Sequence, residues 1–180
     1  DLSRRQVGLR PFEMLKNCPK CGSLIEKVDS DVTHFCKNPE CGGRILEGII
    51  HFASRVAMDI EGLGEKQIEQ LYSLGYLQDA SDIYLLKNYE ADLLQLDRFS
   101  KKKVENLLNA IEQSKTNTLD RFIFALGIRH IGSKAAKALT KKYSSIDKLA
   151  NATYEELLSI LLDNKDIYSI ERSSGTISVL

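Results

Sequence analysis

Along "RILEGIIHFASRVAM", from Arg44, the apolar residues Ile45, Ile49, Phe52 and Val56 recur at three- and four-residue intervals. That is the stripe of a helix lying on a core. In "MDIEGLGEKQIEQLYSLG", Ile60 precedes Gly62-Leu63-Gly64, and Ile68 and Leu71 then fall on one face of a following helix. The shape returns in "LLQLDRFSKKKVENLLNAI" with Leu96, Phe99, Val104 and Leu107, and in "ALGIRHIGSKAAKALTKKY" with Ile128, Ile131, Gly132, Ala136 and Leu139. A recurrence every ~30–40 residues predicts an internal repeat of helix-hairpin-helix units. Short helices fit between them: Ser81 is placed to cap "DIYLLK", Thr118 to cap "LDRFIFALG", and Thr153 with Glu156 has capping-box spacing before "LLSI". Leu93, Leu96, Leu107, Ile111, Phe122, Phe124 and Leu126 are the expected core.

The first hairpin carries the clearest chemistry. Glycines at 62 and 64 permit positive backbone angles and a close approach by another molecule, and the helix start behind them is a seat for phosphate, with Lys66 in its first turn. The copies lose glycine: Arg98 and Ser100 stand for Gly62 and Gly64 in the second unit, and His130 stands for Gly62 in the third. A side chain makes the left-handed conformation costly. Those two hairpins are therefore expected to sit differently on a phosphate or to serve as structural partners alone.

Ahead of the repeats the pattern shortens to strand length. Cys18-x2-Cys21 and Cys36-x4-Cys41 enclose "SLIEKVDSDVTHF", which reads as two short arms, Leu24, Ile25 and Val28 on one, Val32 and Phe35 on the other, with Asp29-Ser30-Asp31 as the turn. Four thiols at this spacing point to one zinc ion, and four thiolates close its tetrahedron, so the metal is structural. His34 is surplus to that ligand set, and His51 reads as a structural or surface histidine. The expected fold is mostly α: a small four-cysteine zinc ribbon followed by a compact helical domain of repeated helix-hairpin-helix units. The expected division is an N-terminal segment 1–15, the zinc finger 16–44, the helix-hairpin-helix domain 45–160 and a divergent tail 161–180.

Composition narrows the function. With 180 residues and 43% hydrophobic content the chain can bury a core, and its net charge of zero exerts no global pull on nucleic acid or membrane. Charge is instead concentrated locally. Lys101-Lys102-Lys103 follows the second hairpin, and Arg129, Lys134, Lys137, Lys141 and Lys142 run through the third without an intervening acid. Basic residues at hairpin tips suit contact with the DNA backbone, which positions a protein without reading sequence. No apolar run approaches the ~20 residues needed to cross a bilayer, and the N-terminus lacks signal-peptide character, so the cytosol, where thiols stay reduced, is the expected location.

The four-cysteine ribbon, "HFASRVAMDIEGLGEKQIEQL" and "LDRFIFALGIRHIGSKAAKAL", in that order, resemble the zinc-finger and helix-hairpin-helix region of bacterial NAD-dependent DNA ligases, from Lys16 to Ile160. The resemblance implies that Cys18, Cys21, Cys36 and Cys41 bind Zn2+. It implies further that the ribbon joins an oligonucleotide-binding barrel to four hairpin units gripping duplex DNA across the minor groove near a nick. Gly62, Leu63 and Gly64 match the first hairpin, and Ile131 with Gly132 the third; Lys66, Ser100, Lys101, Lys102 and Lys134 are the further DNA contacts expected. The implied partners are nicked duplex DNA and the other ligase domains in cis, in a monomer with no membrane association, located in the bacterial cytoplasm at the nucleoid.

Other parts of the family pattern are missing. The Lys-x-Asp-Gly motif of the NAD-using adenylation domain is absent, so this stretch is expected neither to bind NAD nor to ligate alone, and the BRCT domain is absent too. "DLSRRQVGLRPFE" does not read like the barrel's end, and no fourth apolar-Gly-x-Gly follows "EELLSI". Residues after about Leu162 are expected to be poorly ordered or packed unlike the family. The competing reading is a zinc-stabilised helical protein-interaction module; a nuclease lacks a carboxylate cluster.

Overall fold

The computed structural model of the chain describes residues 13–27 and 34–163. The ribbon's expected turn at 29–31, with Val28 and Val32, lies outside the described residues, as do most of the expected N-terminal segment and all of the tail beyond 163. Strands β1 (Ile25–Lys27) and β2 (His34–Cys36) pair antiparallel, Ile25 opposite Cys36 and Glu26 opposite Phe35. Leu24 stays 70% exposed, since two short strands have only one another to cover.

The helices follow in order: α1 (Gly42–Ala53), α2 (Glu65–Ser73), a 3-10 segment (Ala80–Tyr89) running into α3 (Glu90–Leu93), α4 (Lys101–Ser114), α5 (Leu119–Ala125), α6 (Ser133–Lys142), α7 (Ile146–Ala150) and α8 (Tyr154–Asp163). Their apolar faces make two cores. Ile49, Phe52, Ile60, Leu63, Ile68, Leu71, Leu93, Phe99, Val104, Leu107 and Ile111 unite the first two hairpin units. Ile123, Ala135, Ala136 and Leu139, with Leu119, Leu149, Leu157 and Ile160 against them, unite the third with α7 and α8. Phe124 packs against both clusters, which joins them at α5.

The periodicity overran in two places. Helix α1 ends at Ala53 because Ser54 turns extended (φ −60°, ψ 156°) while its hydroxyl donates to the His51 carbonyl, 2.7 Å. Val56 therefore falls in the next turn and is 68% exposed, not on the core stripe. Leu126, expected inside, is the C-cap of α5 and 43% exposed. Two caps also differ from expectation. Asp79, not Ser81, caps the 3-10 segment, accepting from the Ser81 amide at 2.6 Å while Asp82 accepts from the Asp79 amide at 3.1 Å. Thr118 stands at the N-cap of α5 without a side-chain capping bond. The box at Thr153 is present: Glu156 accepts from the Thr153 amide at 3.0 Å and donates its own amide to the Thr153 hydroxyl at 3.3 Å.

Candidate nucleic-acid interface and metal centre

Each thiol pair is set by its own turn. After Cys18, Gly22 turns left-handed (φ +74°) and donates its amide to the Cys18 carbonyl, 2.8 Å, so Cys18 and Cys21 point the same way. After Cys36, the Asn38 side chain accepts from the Glu40 amide at 3.0 Å and the Asn38 carbonyl accepts from the Cys41 amide at 3.2 Å. Cys41 is also the N-cap of α1, its carbonyl accepting from Ile45 at 3.0 Å. The thiol cluster is thus continuous with the helix that enters the core.

The four Sγ atoms lie within 4.8 Å of one another, with Cys18 to Cys41 at 3.8 Å and Cys21 to Cys36 at 3.5 Å, and all four thiols are free. Sulfurs at ~2.3 Å from a tetrahedral zinc would be ~3.8 Å apart, so the quartet fits one ion of that kind. Cys36 and Cys41 are buried and the other pair half-buried. Hydrogen bonds from the Ser23 hydroxyl, then from its amide, lower the Cys21 thiol to about 6. Burial pushes Cys36 up to about 12 against the opposing pull of the Asn38 amide. Four sulfurs this close cannot all carry charge without a cation among them. His34 is half-buried on β2 and no part of the cluster.

The three hairpins share one backbone. In each, the apolar residue accepts from the amide three positions on: Leu63 to Ile60 at 3.2 Å, Phe99 to Leu96 at 3.2 Å, Ile131 to Ile128 at 3.0 Å. The residue between turns left-handed in all three, Gly62 at φ +86°, Arg98 at +67° and His130 at +67°. Gly64, Ser100 and Gly132 are then equivalent extended N-caps, at φ −82°, −70° and −80°. Arg98 and His130 thus keep the left-handed turn of Gly62 despite their side chains. The apolar anchors (Leu63 and Phe99 buried, Ile131 half-buried) hold the turn shape, and the side chains at 98 and 130 project from an exposed tip.

The tips differ in chemistry. Gly64 and Gly132 make no side-chain cap to the first turns of α2 and α6. Ser100 accepts from the Lys103 amide at 3.4 Å, occupying one donor of α4. The Lys103 ammonium folds back onto the Arg98 carbonyl, 3.0 Å, over the Phe99 ring, leaving Lys101 and Lys102 as the exposed cations of the run. Lys66, Lys137 and Lys141 are exposed, as is Lys134, and Lys142 pairs with Glu156 at 3.6 Å. Hairpin 1 is flanked by the acids Glu61 and Glu65, hairpin 2 carries Asp97, and hairpin 3 presents Arg129 and His130.

Sequence reasoning missed the residues that hold the third unit in place. Arg121 donates to the carbonyls of Ala57 and Arg55, both at 2.8 Å, and Asn117 donates to that of Met58 at 2.7 Å. His51 lies 3.0 Å from the Phe124 carbonyl and edge-on to its ring. All are bonds to distant backbone carbonyls, for which the sequence carries no local signal.

Fold and site together define a helix-hairpin-helix protein bearing a four-cysteine ribbon. Residues 121–161 match the family model described as a helix-hairpin-helix motif. Among known proteins the chain is akin to the DNA ligases. It is 51% identical over 150 residues to a DNA ligase of Acholeplasma laidlawii, covering 83% of this chain and 23% of that protein. It is 45% identical over 159 residues to that of Macrococcus caseolyticus (88% and 24%) and 44% identical over 161 residues to that of Spiroplasma citri (89% and 24%). The chain spans about a quarter of the length of these relatives. No helix among the described residues is long and apolar enough to cross a membrane.

Proposed function

We propose that this region grips duplex DNA through its phosphates, without reading sequence, as part of an NAD-dependent DNA ligase that seals nicks in replication and repair. The observation that carries the reading is the threefold recurrence of one exposed turn, each opening on a helix N-terminus. Gly132 is the most telling position. Its φ is ordinary and a Cβ there would meet nothing within 4 Å, so neither strain nor internal packing calls for glycine. A glycine without an internal reason suits the close approach of an outside group, and amides at a helix start suit an anion.

In this reading Gly62, Leu63, Gly64, Lys66, Ser100, Lys101, Lys102, Ile131, Gly132 and Lys134 form the DNA-facing surface, and Zn2+ held by the four cysteines is structural. Adenylation by NAD and phosphodiester formation belong to domains outside this stretch, which act in cis with it. The protein works as a monomer on nicked DNA in the cytoplasm, at the nucleoid. Exposed Leu74 at the end of α2, with Leu85, Tyr89 and Leu94 in the segment that follows, favours a protein-docking surface as the second reading.

Fluorescence anisotropy with a nicked duplex, repeated across a salt series, separates the two. Phosphate binding gives a linear fall of log affinity with log salt. No binding at low salt would overturn the DNA reading for this region.

A further inference from the structure

Two attachments of the ribbon to the helical body stand out among the described residues. One is the start of α1, where Cys41 is both cluster member and N-cap, and where Arg44 donates to the Asn38 carbonyl at 3.2 Å. The other is far away in sequence: the Arg129 guanidinium, at the tip of hairpin 3, lies over the Phe35 ring, 4.4 Å from its centroid. Phe35 sits in β2, paired with Glu26 and directly before the buried Cys36.

These contacts close a ring. Helix α1 is ~18 Å long at 1.5 Å per residue. Its first turn carries the ribbon; its last turn presents His51 to the Phe124 carbonyl at 3.0 Å, and a Cβ on Gly127 would lie 3.4 Å from the same imidazole. Gly127 leads directly into hairpin 3, whose Arg129 returns to the ribbon. Hairpin 1 does not share this second tether; its Gly62 lies against Leu107 of α4.

We propose that Arg129 is a positioning residue that locks hairpin 3 to the four-cysteine ribbon through Phe35, so that metal in the ribbon governs how firmly hairpin 3 is held. A planar guanidinium stacks on an aromatic face where a lysine would make only a point-charge contact. The β2 strand offers a fixed ring only while Cys36 is tied to the other three thiols. Without metal, two three-residue strands cannot hold Phe35 in register. The inference concerns this chain's own ribbon and hairpin and does not depend on DNA binding.

Hydrogen–deuterium exchange on the full chain, read at residues 128–133 with one equivalent of Zn2+ and again after chelation, tests it. Chelation should speed exchange there about fivefold in the unaltered chain. Arg129→Gln should already exchange at the fast rate with metal bound and gain nothing further from chelation. Phe35→Leu should behave likewise, and Phe35→Tyr should restore the slow rate. Cobalt–thiolate absorbance checks that each variant still binds metal; if Phe35→Leu does not, Arg129→Gln, whose residue is no cluster ligand, decides alone. Equal responses to chelation in the unaltered chain and Arg129→Gln, or no response in either, would overturn the proposal.

Discussion

Arg98 takes, at φ +67°, the backbone position that Gly62 takes at φ +86° in the preceding unit. The left-handed turn is therefore imposed by its surroundings, because an L side chain there costs ~1 kcal/mol or more relative to glycine. The buried anchors Leu63 and Phe99 on one side and the N-capped helix on the other leave the chain no other path.

Gly62→Ala and Gly132→Ala should accordingly part company. A Cβ at 62 would meet Leu107 at an ordinary 3.8 Å, so its cost is the left-handed φ, and urea unfolding should show a loss of ~1 kcal/mol. Gly132→Ala should leave stability within ~0.5 kcal/mol, since φ and space are both permissive. Its effect should be on DNA affinity. Unchanged binding by Gly132→Ala would remove the support that this glycine gives to the proposed interface.

Arg121→Ala should be among the most destabilising surface-proximal changes. It removes two charge-assisted bonds to the carbonyls of Ala57 and Arg55, and the expected loss is ~2 kcal/mol by thermal or urea unfolding. Lysine should not rescue it, because one ammonium cannot reproduce the forked geometry. A loss under ~0.5 kcal/mol would show that these two bonds contribute little to holding α5.

Metal removal should be felt in α1. Chelation, or Cys41→Ser, should shorten the helical signal and lower the thermal midpoint, because Cys41 is the residue from which α1 departs. Cobalt titration should give one ion per chain with a tetrathiolate spectrum, and each of Cys18→Ser, Cys21→Ser and Cys36→Ser should weaken it. More than one ion per chain would contradict the single-site geometry.

Glu156 gives a pH signature. Its carboxyl is held below the usual value of 4.5, first by the Thr153 amide and then by the charge of Lys142. A carboxylate depressed by folding contributes stability that is fully present above its unfolded pKa and lost as pH falls through the lower folded value. Glu156→Gln should therefore lower the midpoint at pH 7 and match the unaltered chain only in acid below the depressed folded pKa of the carboxyl. Equal differences at both pH values would assign the effect to something other than the charge.

The local content of the sequence was enough to locate the cysteine quartet and the three hairpins. Each depends on residues a few positions apart: two thiols per knuckle, or an apolar residue, its mate three residues later and a cap. The same local pattern misjudged Val56 and Leu126, because periodicity does not say where a helix stops. Ser54 ends α1 before Val56, and Leu126 lies beyond α5.

What tertiary structure alone decided are the relations between units. Arg98 and His130 hold a glycine-like angle because packing on either side outweighs a local penalty of ~1 kcal/mol. Arg121, Asn117 and His51 find carbonyls 64, 59 and 73 residues away, respectively, and any side chain near a carbonyl would leave the same absence of trace in the sequence. Lys103 and Lys142 are drawn from the basic runs into internal contacts, and Arg129 is laid on Phe35. By itself the sequence located the repeated element and the candidate metal-ligand set, since apolar periodicity and thiol spacing are short-range patterns. Which cations remain exposed, and how the ribbon meets the third hairpin, depended on long-range packing that only the folded chain creates.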